Sequence, residues 1–509
     1  MGAAAAQPAN PPAALPTPQS VAPAANATAD VIGKSVVKVL STVRYPDRFQ
    51  PWIKKAPVSS SASGVVIKGR RILTTAHAVA YGSEVQVQGN QATDKRTATV
   101  EKISLEMDLA VLKLNDDSFF DTYPPLPRAS KLPQVKNLVT AYGFPAEENG
   151  ISAARGKVAS IDFTAYNLGA AGLRVEVDGV INPGCTGGPV LAGDTMIGLA
   201  FSPPTKLADI FYIIPCEEIE LFLQSSREGG YHGRPRLDLV LQGLQNPTLR
   251  SFLGVDKSVH GVVVQQVGPV SSDNPLRKWD IITQVGKTDI DDGGGVHLDN
   301  GLHAAFTYLL SQTAVNGKAP LTVIRSGQTL RLDVPLQSNP SRLLPGLAGD
   351  YPDYFVYGPL AFSDASQDLF YDLISGAIAG NSGINATMRL LDQDTPLVTR
   401  CADFPKFDGE RLVIVTSFFQ HKLTEGYLNP ISQVVKTVNG APIKNLPHLV
   451  QVLRDCKDKF VSIDFFGRYS TTLVFPREEV LAATEAILAD NNVRSQGSPA
   501  MMAIWNEKK

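Results

Sequence analysis

The residues Ile181-Asn182-Pro183-Gly184-Cys185-Thr186-Gly187-Gly188-Pro189 form the most informative stretch of this 509-residue chain. Three glycines stand close to one hydroxyl residue, Thr186, and glycine lets a backbone adopt conformations that a Cβ hinders. A bare Gly-Gly-Pro would indicate only a tight turn. Because Asn182-Pro183-Gly184 precedes it here, the stretch has the shape of a nucleophile loop, with threonine at the nucleophile position.

Two segments upstream complete the pattern. His77 lies in Leu73-Thr74-Thr75-Ala76-His77-Ala78-Val79, and Asp108 opens Asp108-Leu109-Ala110-Val111-Leu112-Lys113. The chain order His, Asp, hydroxyl residue is that of the chymotrypsin-type triad. A neutral imidazole can accept the hydroxyl proton and return it to a leaving amine, while the carboxylate orients the ring. We therefore predict His77, Asp108 and Thr186 as the catalytic residues.

Together these segments resemble the Deg/HtrA family of serine endopeptidases, whose third motif is Gly-Asn-Ser-Gly-Gly-Pro. Cys185 and Thr186 depart from that motif. The resemblance covers about residues 31 to 480 and is closest to the long forms with two PDZ domains. It implies a mainly β fold, in which a chymotrypsin-like double β-barrel protease domain is followed by two PDZ-like α+β domains. It also implies an oxyanion hole made by the backbone N–H groups of Gly184 and Thr186.

Composition and motifs divide the chain into five segments. Residues 1–30 are almost entirely Ala, Pro and small polar residues, which predicts a disordered leader. The protease domain, first PDZ domain, second PDZ-like domain and C-terminal tail are predicted at residues 31–230, 236–338, 345–482 and 483–509. We expect the tail to be a helix followed by a loose end.

Short strands with turn punctuation fill the protease segment, as in a pair of β-barrels. A hairpin is predicted to lead into His77, and a buried strand to follow Asp108. The other predicted strands lie at residues 138–145, 155–161 and 196–201.

The resemblance places the specificity pocket between residues 178–182 and 197–201. Asn182, Leu199 and Ala200 are its predicted lining. Since Leu199 and Ala200 carry no charge, they favour a small or medium apolar residue before the cut.

The first PDZ-like segment contains Gly261-Val262-Val263-Val264-Gln265-Gln266-Val267 and is predicted to hold a helix over 302–312. Its peptide-binding loop aligns with Leu237, Asp238 and Leu239, where Asp238 replaces the expected glycine. A carboxylate beside a backbone N–H cradle should repel a peptide C-terminus. A packing or assembly role is therefore the alternative for this unit.

The second PDZ-like segment repeats a strand, an Asn439-Gly440 turn, a helix over 446–453 and a strand over 460–466. It shows no recognisable carboxylate cradle. The family resemblance implies that this unit serves oligomer contacts, in trimers or a multiple of them.

Thr186 supports two hypotheses about function. Its hydroxyl resembles that of serine, so the first is an ATP-independent endopeptidase acting on unfolded or damaged proteins in quality control. However, the β-branch stiffens χ1 and adds a methyl at the point of attack. The second hypothesis is therefore a catalytically inactive homologue acting as chaperone or scaffold. Cys185 is predicted to be a small buried hydrophobe.

The charge balance and the cysteine spacing bear on which partners and cofactors the protein can have. The 47 basic and 49 acidic residues nearly cancel, which gives no electrostatic reason to bind nucleic acid or an anionic membrane. The four cysteines lack metal-ligand spacing. We expect no cofactor, no metal and no membrane span, with unfolded proteins or peptides as partners. The leader has no recognisable signal peptide, so the compartment stays open between the cytoplasm and export to a periplasm by a leader missing from this start.

Overall fold

The computed structural model describes residues 26–145, 150–165, 171–201, 210–224, 234–268, 274–298, 302–337, 342–378, 392, 394–468 and 470–507. Its first element is helix α1, Asn26–Ser35. Residues 26–30 of the predicted disordered leader are therefore helical, and the rest of the leader lies outside the described residues. Ile32 of this helix is buried among residues of both barrels, which explains why the helix forms here.

The first half of the predicted protease domain is a closed barrel of six strands in the order β1-β2-β3-β6-β5-β4. Antiparallel pairing of β2 with β3 confirms the hairpin predicted before His77. A buried aliphatic cluster that includes Val37, Val66, Ile72 and Leu112 fills the interior. The strands are Val36–Val43, Val58–Ile67, Arg71–Thr74, Gly82–Gly89, Lys95–Ser104 and Leu109–Leu114, and the one-turn helix α2, Phe119–Thr122, follows them.

The second half is another closed six-stranded barrel, in the order β10-β11-β12-β9-β8-β7. Its strands are Leu138–Gly143, Ser152–Ala165, Ala171–Asp178, Pro189–Ala192, Thr195–Phe201 and Ile210–Pro215, and helix α3, Cys216–Gln224, ends the domain. The double β-barrel predicted from the motifs is confirmed.

A core shared by the two barrels holds them against each other. Phe144, Met196 and Leu199 from the second barrel meet Val65 and Leu73 from the first in one buried cluster. The loops that carry the candidate catalytic residues flank this seam. Their relative placement therefore depends on packing between barrels and not on either barrel alone.

The first PDZ-like unit is built on a sheet of order β13-β14-β15-β19-β20, with β16 paired to β15 and a separate β17-β18 hairpin. The helix predicted over 302–312 is wrong in extent, because residues 303–305 pair with β17 and only a 3₁₀ turn and one short helix follow. The bounds are Leu239–Gly243 (β13), Pro247–Leu253 (α4), Val262–Val267 (β14), Ile281–Val285 (β15), Thr288–Asp289 (β16), Gly295–His297 (β17), His303–Ala305 (β18), Leu310–Thr313 (α5), Lys318–Arg325 (β19) and Gln328–Pro335 (β20).

The second PDZ-like unit combines a three-stranded sheet, β21-β22-β23, with a four-stranded sheet, β25-β24-β26-β27. The predicted turn is present: Asn439 and Gly440 have φ of 46° and 76° between β24 and β25. The strands are Phe355–Tyr357, Leu360–Asp364, Val413–Phe418, Val435–Val438, Ala441–Pro442, Phe460–Phe465 and Leu473–Pro476. The helices α6 to α10 are Gln367–Ile378, Pro396–Thr399, Leu446–Asp455, Arg477–Asp490 and Pro499–Trp505.

The C-terminal residues belong to this unit, so the prediction of a loose end is wrong. The ring of Trp505 lies 5.0 Å from that of Phe355 and 6.3 Å from that of Tyr357. Met501 is buried in the same core. The apolar side of α10 therefore covers the sheet. Among the described residues, no helix has the length and apolar character needed to cross a membrane.

One loop of the first barrel docks onto the second PDZ-like unit. This docking loop, residues 44–57 between β1 and β2, places Trp52 against Tyr354 and Phe419, with ring centroids 5.8 and 5.7 Å away. The Ser417 hydroxyl donates to the Phe49 carbonyl at 2.7 Å. The first barrel and the second PDZ-like unit are thereby joined by an aromatic contact and a hydrogen bond.

Replacing Trp52 with alanine should loosen this contact. Because Trp52 is only partly buried, we expect the free energy of unfolding to fall by about 2 kcal/mol, which is less than the loss expected when a fully buried tryptophan is replaced by alanine. Calorimetry should show the second PDZ-like unit melting about 5 °C lower. Trp279→Ala is the matched control, since Trp279 is 38% exposed on the first PDZ-like unit. Equal effects of the two changes would contradict the docking role.

Candidate active site

His77 is held at its backbone and at its ring by one carboxylate. It lies in a 3₁₀ turn, Ala76–Ala78, immediately after β3. The His77 N–H donates to Asp108 Oδ1 at 2.9 Å, and His77 Nδ1 lies 2.9 and 2.8 Å from Asp108 Oδ1 and Oδ2. The His77 side chain is 53% exposed and that of Asp108 only 5%. A buried carboxylate therefore fixes Nδ1 while the ring remains accessible.

The barrel register brings this pair together from 31 positions apart. Strands β3 and β6 pair antiparallel with Thr74 opposite Ala110, so the residues just beyond those ends become neighbours. Asp108 itself has a φ of 55°, in the left-handed region. Aspartate is among the few non-glycine residues enriched there. The backbone thereby turns the carboxylate toward His77.

Asp108 favours the protonated form of the His77 imidazole. Burial lowers the pKa of His77, but the hydrogen bond and the negative charge of Asp108 outweigh that effect and raise the pKa above its ordinary value. A carboxylate that stabilises the imidazolium suits a general base, since the imidazolium forms when the base takes a proton. The charge of Asp108 and the raised pKa of His77 therefore suit a general base and the carboxylate that orients it.

The loop around Thr186 is anchored by Ser63 of β2. The Ser63 hydroxyl donates to the Gly184 carbonyl at 2.8 Å and accepts from the Phe144 N–H at 2.8 Å. The Ser63 N–H donates to the Thr186 carbonyl at 2.9 Å. Sequence reasoning placed Ser63 in a strand but missed this role. Because β2 contains four serines, its sequence does not single out Ser63, whose burial appears only in the fold.

The glycines after Thr186 are required by close packing. Gly187 has a φ of 85°, and a Cβ on it would overlap the Ser63 carbonyl oxygen. A Cβ on Gly188 would overlap the Tyr142 carbonyl oxygen. The Gly187 N–H donates to the Ala200 carbonyl and the Ala200 N–H to the Gly188 carbonyl, at 2.9 and 2.8 Å. The loop is therefore pinned between strands of both barrels.

Hydrogen bonds also orient the peptide that carries the Thr186 N–H. The Cys185 carbonyl accepts from the Gly188 N–H at 3.0 Å. Because the N–H and C=O of one peptide unit point in opposite directions, the Thr186 N–H faces away from Gly188. The assignment of the Gly184 and Thr186 N–H groups to an oxyanion hole stays a prediction. Cys185 is 1% exposed and packs in the second barrel's core, as expected of a small hydrophobe.

The Thr186 hydroxyl is not hydrogen-bonded to His77 among the described residues. Thr186 is 5% exposed. Among the residues that the structure describes, neither its hydroxyl nor His77 Nε2 makes a hydrogen bond. Such bonds are often long before substrate binds. The third member of the predicted triad is thus present on an ordered loop, with its bond to the base not formed.

The predicted specificity pocket is only partly as expected. Asn182 is exposed, but Leu199 and Ala200 are fully buried in the cores, so their side chains do not line an open pocket. Phe201 comes closer to the site, with its ring 6.4 Å from that of His77. The Arg174 guanidinium lies 4.4 Å above the Phe201 ring. The residues after 201, up to 209, lie outside the described part of the chain.

The predicted peptide loop of the first PDZ-like unit borders a small cavity of about 170 Å³. Leu237, Asp238 and Leu239 line it together with Arg236 and Arg342. Burial raises the pKa of the Asp238 carboxyl, and the two arginines only partly offset this. The Asp238 side chain lies against Gly268, where a Cβ would overlap it. That Asp238 disfavours a peptide carboxylate remains a prediction.

Comparisons with known proteins agree with this geometry. Residues 62–199 match the trypsin-like peptidase domain family and residues 347–500 match a PDZ domain family. The chain is 30% identical over 474 residues to Protease Do-like 2, chloroplastic, of Arabidopsis thaliana, covering 92% of this chain and 75% of that protein. The chain belongs to the Do-like (Deg/HtrA) protease family.

Other matches to this Do-like chain cover smaller shares of it. Protease Do-like 4, mitochondrial, of Arabidopsis thaliana is 28% identical over 453 residues, which cover 88% of this chain and 82% of the relative. A serine protease DegP homolog of Plasmodium falciparum is 23% identical, with 83% and 59% covered. The solved HtrA-type protease AlgW with decapeptide aligns at 21% identity and a TM-score of 0.48, covering 62% of this chain and 99% of AlgW.

Proposed function

We propose that this Do-like protein is an endopeptidase that hydrolyses peptide bonds of unfolded polypeptides in protein quality control, with Thr186 as nucleophile. One observation carries the proposal. Asp108 binds both the backbone N–H and Nδ1 of His77, at 2.8 to 2.9 Å, and the loop that holds Thr186 packs against the same segment, since a Cβ on Gly187 would lie 3.3 Å from the Thr75 nitrogen. An accessible imidazole locked at Nδ1 has Nε2 free to exchange protons, which is the role that peptide hydrolysis demands of it.

The proposed reaction uses these groups in two steps. His77 Nε2 takes the Thr186 hydroxyl proton as Oγ1 attacks the substrate carbonyl carbon. The N–H groups of Gly184 and Thr186 stabilise the oxyanion that develops. The intermediate collapses as His77 gives its proton to the leaving amine, leaving an ester on Thr186. Water, activated by the same imidazole, hydrolyses the ester and restores the hydroxyl, so no cofactor is consumed.

The side chains around His77 bear on which substrate residue can precede the cleaved bond. Phe201 presents an aromatic ring near the base, and the Arg174 guanidinium covers that ring. We propose that an apolar residue precedes the cut and that Phe201 contacts it. We also propose assembly into a trimer or a multiple of one, which the family resemblance supports.

A catalytically inactive chaperone or scaffold is the second candidate. It is favoured by the same residue, because threonine adds a methyl where the carbonyl must approach and its hydroxyl is not bonded to His77 among the described residues. A misplacement of about 1 Å can cost on the order of 10²-fold in rate. The two candidates differ in one measurable property, the turnover of an unfolded substrate.

The natural protein and a Thr186→Ala variant, incubated with casein, test the proposal directly. We expect cleavage by the natural protein and none by the variant. A fluorophosphonate probe should add its mass to a peptide containing Thr186 in the natural protein alone. If neither protein cleaves casein or takes up the probe, while both suppress aggregation of an unfolded client, the chaperone candidate is correct and the endopeptidase proposal fails.

A further inference from the structure

Three metal-ligating side chains converge in the first PDZ-like unit. Asp291, His297 and His303 each offer one ligand atom, and these atoms all lie within 4.8 Å of one another. The two histidines stand directly opposite each other on the β17-β18 hairpin. Their ring centroids are 4.5 Å apart. Five residues separate them in the chain, which is within the usual spacing of paired zinc-binding histidines.

We propose that Asp291, His297 and His303 bind a divalent transition-metal ion, with zinc as the best match. Imidazole and carboxylate are the donors that zinc prefers among nitrogen and oxygen ligands. At the usual ligand distances, donor atoms in a tetrahedral site lie about 3.4 Å apart. Small rotations about the side-chain bonds bring the three atoms from their present spread to that separation. A fourth position remains for water or another ligand.

Asp291 is positioned for this role by the backbone. Its Oδ1 accepts from the N–H groups of Gly293 and Gly295, both at 2.8 Å, while Oδ2 lies 2.8 Å from His303 Nε2. One carboxylate oxygen is therefore fixed by the backbone, and the other is directed at the histidines.

Gly295 lets two of the ligand atoms lie directly against the backbone. A Cβ on Gly295 would overlap His303 Nε2 and lie 2.5 Å from Asp291 Oδ2. An exposed ion pair of Asp291 with His303 would contribute little to stability by itself. His297 adds a third donor beside that pair, within 4.8 Å of the other two ligand atoms. This second histidine favours a metal over an isolated Asp291–His303 pair.

The site opens onto a cavity of about 610 Å³ between two domains. Asp162 and Phe163 of β8 line it from the protease side, and His260 lines it from the PDZ side. His260 is itself 3.1 Å from Asp292, which also binds Arg250. The metal would sit at the junction of the second barrel and the first PDZ-like unit. Binding should therefore stabilise both together.

Titration of the full chain with Zn²⁺ after removal of metal by a chelator tests the site. We expect one Zn²⁺ per chain with micromolar or tighter affinity, and a rise in melting temperature. His303→Ala and Asp291→Asn should each weaken binding at least about 100-fold. His260→Ala is the matched control, since it changes a histidine of the same cavity that is not a ligand. Its affinity should stay within about 3-fold.

A second variant separates ligation from folding. Gly295→Ala retains all three donor groups, but its Cβ displaces His303 and Asp291 from their positions, so we expect at least about 10-fold weaker binding. Circular dichroism checks that each variant is folded, and the visible bands of Co²⁺ report tetrahedral nitrogen and oxygen ligation. The proposal is overturned if the natural protein binds no Zn²⁺, or if its affinity is unchanged in the His303→Ala and Asp291→Asn variants. Neither result depends on whether the protein cleaves casein.

Discussion

The Thr186→Ser variant should cleave casein faster than the natural protein, with kcat/KM raised about 10- to 100-fold. The substitution keeps the hydroxyl and removes the γ-methyl at a position that is only 5% exposed. The freed χ1 lets Oγ turn toward His77 without pressing a methyl into the substrate carbonyl. The gain matches the order of 10² expected when a reacting atom moves about 1 Å into line.

The control for this change is Thr195→Ser. Thr195 begins β11 in the same barrel and is half-buried, so the same chemical change is made away from His77. We expect its rate to equal that of the natural protein. A Thr186→Ser variant that is no faster than the natural protein would show that the methyl is not what limits attack. Full kinetics with a peptide substrate would locate any gain in kcat or in KM.

Most of the candidate active site could be predicted from short sequence motifs. His77, Asp108 and Thr186 lie in short segments whose residue types are needed for the chemistry, so their roles could be predicted without the fold. The role of Ser63 could not be predicted, because it acts through contacts between the barrels. Phe201 ends the predicted pocket range 197–201, but its place beside His77 appears only in the fold. The Ser63 hydroxyl bridges residues 121 positions away at Gly184 and 81 away at Phe144. No sequence pattern encodes such a pairing.

The errors in the PDZ-like units have a related cause. The apolar residues after Leu302 fit a helix as well as a strand, and periodicity cannot separate these for short runs. Pairing of residues 303–305 with β17 decides the outcome. The same pairing creates the His297–His303 contact, which is why two histidines without local context form the proposed metal site. Likewise, local sequence could not predict that Trp505 packs in a core, because its ring contacts Phe355, which lies far away in the chain.

We expect Asp108→Asn to lower kcat by about 10³- to 10⁴-fold, the scale seen when a triad aspartate is replaced. The amide is nearly the same size as the carboxylate, so its oxygen can still accept from the His77 N–H. Its NH₂ group would then face Nδ1. Because Nδ1 must accept that hydrogen bond, the ring proton moves to Nε2, which can no longer take the Thr186 proton.

The pH profile distinguishes this explanation from simple misfolding. Asp108 raises the pKa of His77 in the natural protein, so activity should fall on the acid side as His77 becomes protonated. Without the negative charge the His77 pKa falls, and the acid limb of the remaining activity should move to lower pH. Asp116→Asn, at an exposed carboxylate after β6, should leave both the rate and the limb unchanged. A residual rate within 10-fold of the natural protein's, or an acid limb that stays in place, would mean that Asp108 does not orient and charge-stabilise the base. The same comparison in the Thr186→Ser background keeps the test measurable if the natural rate is low.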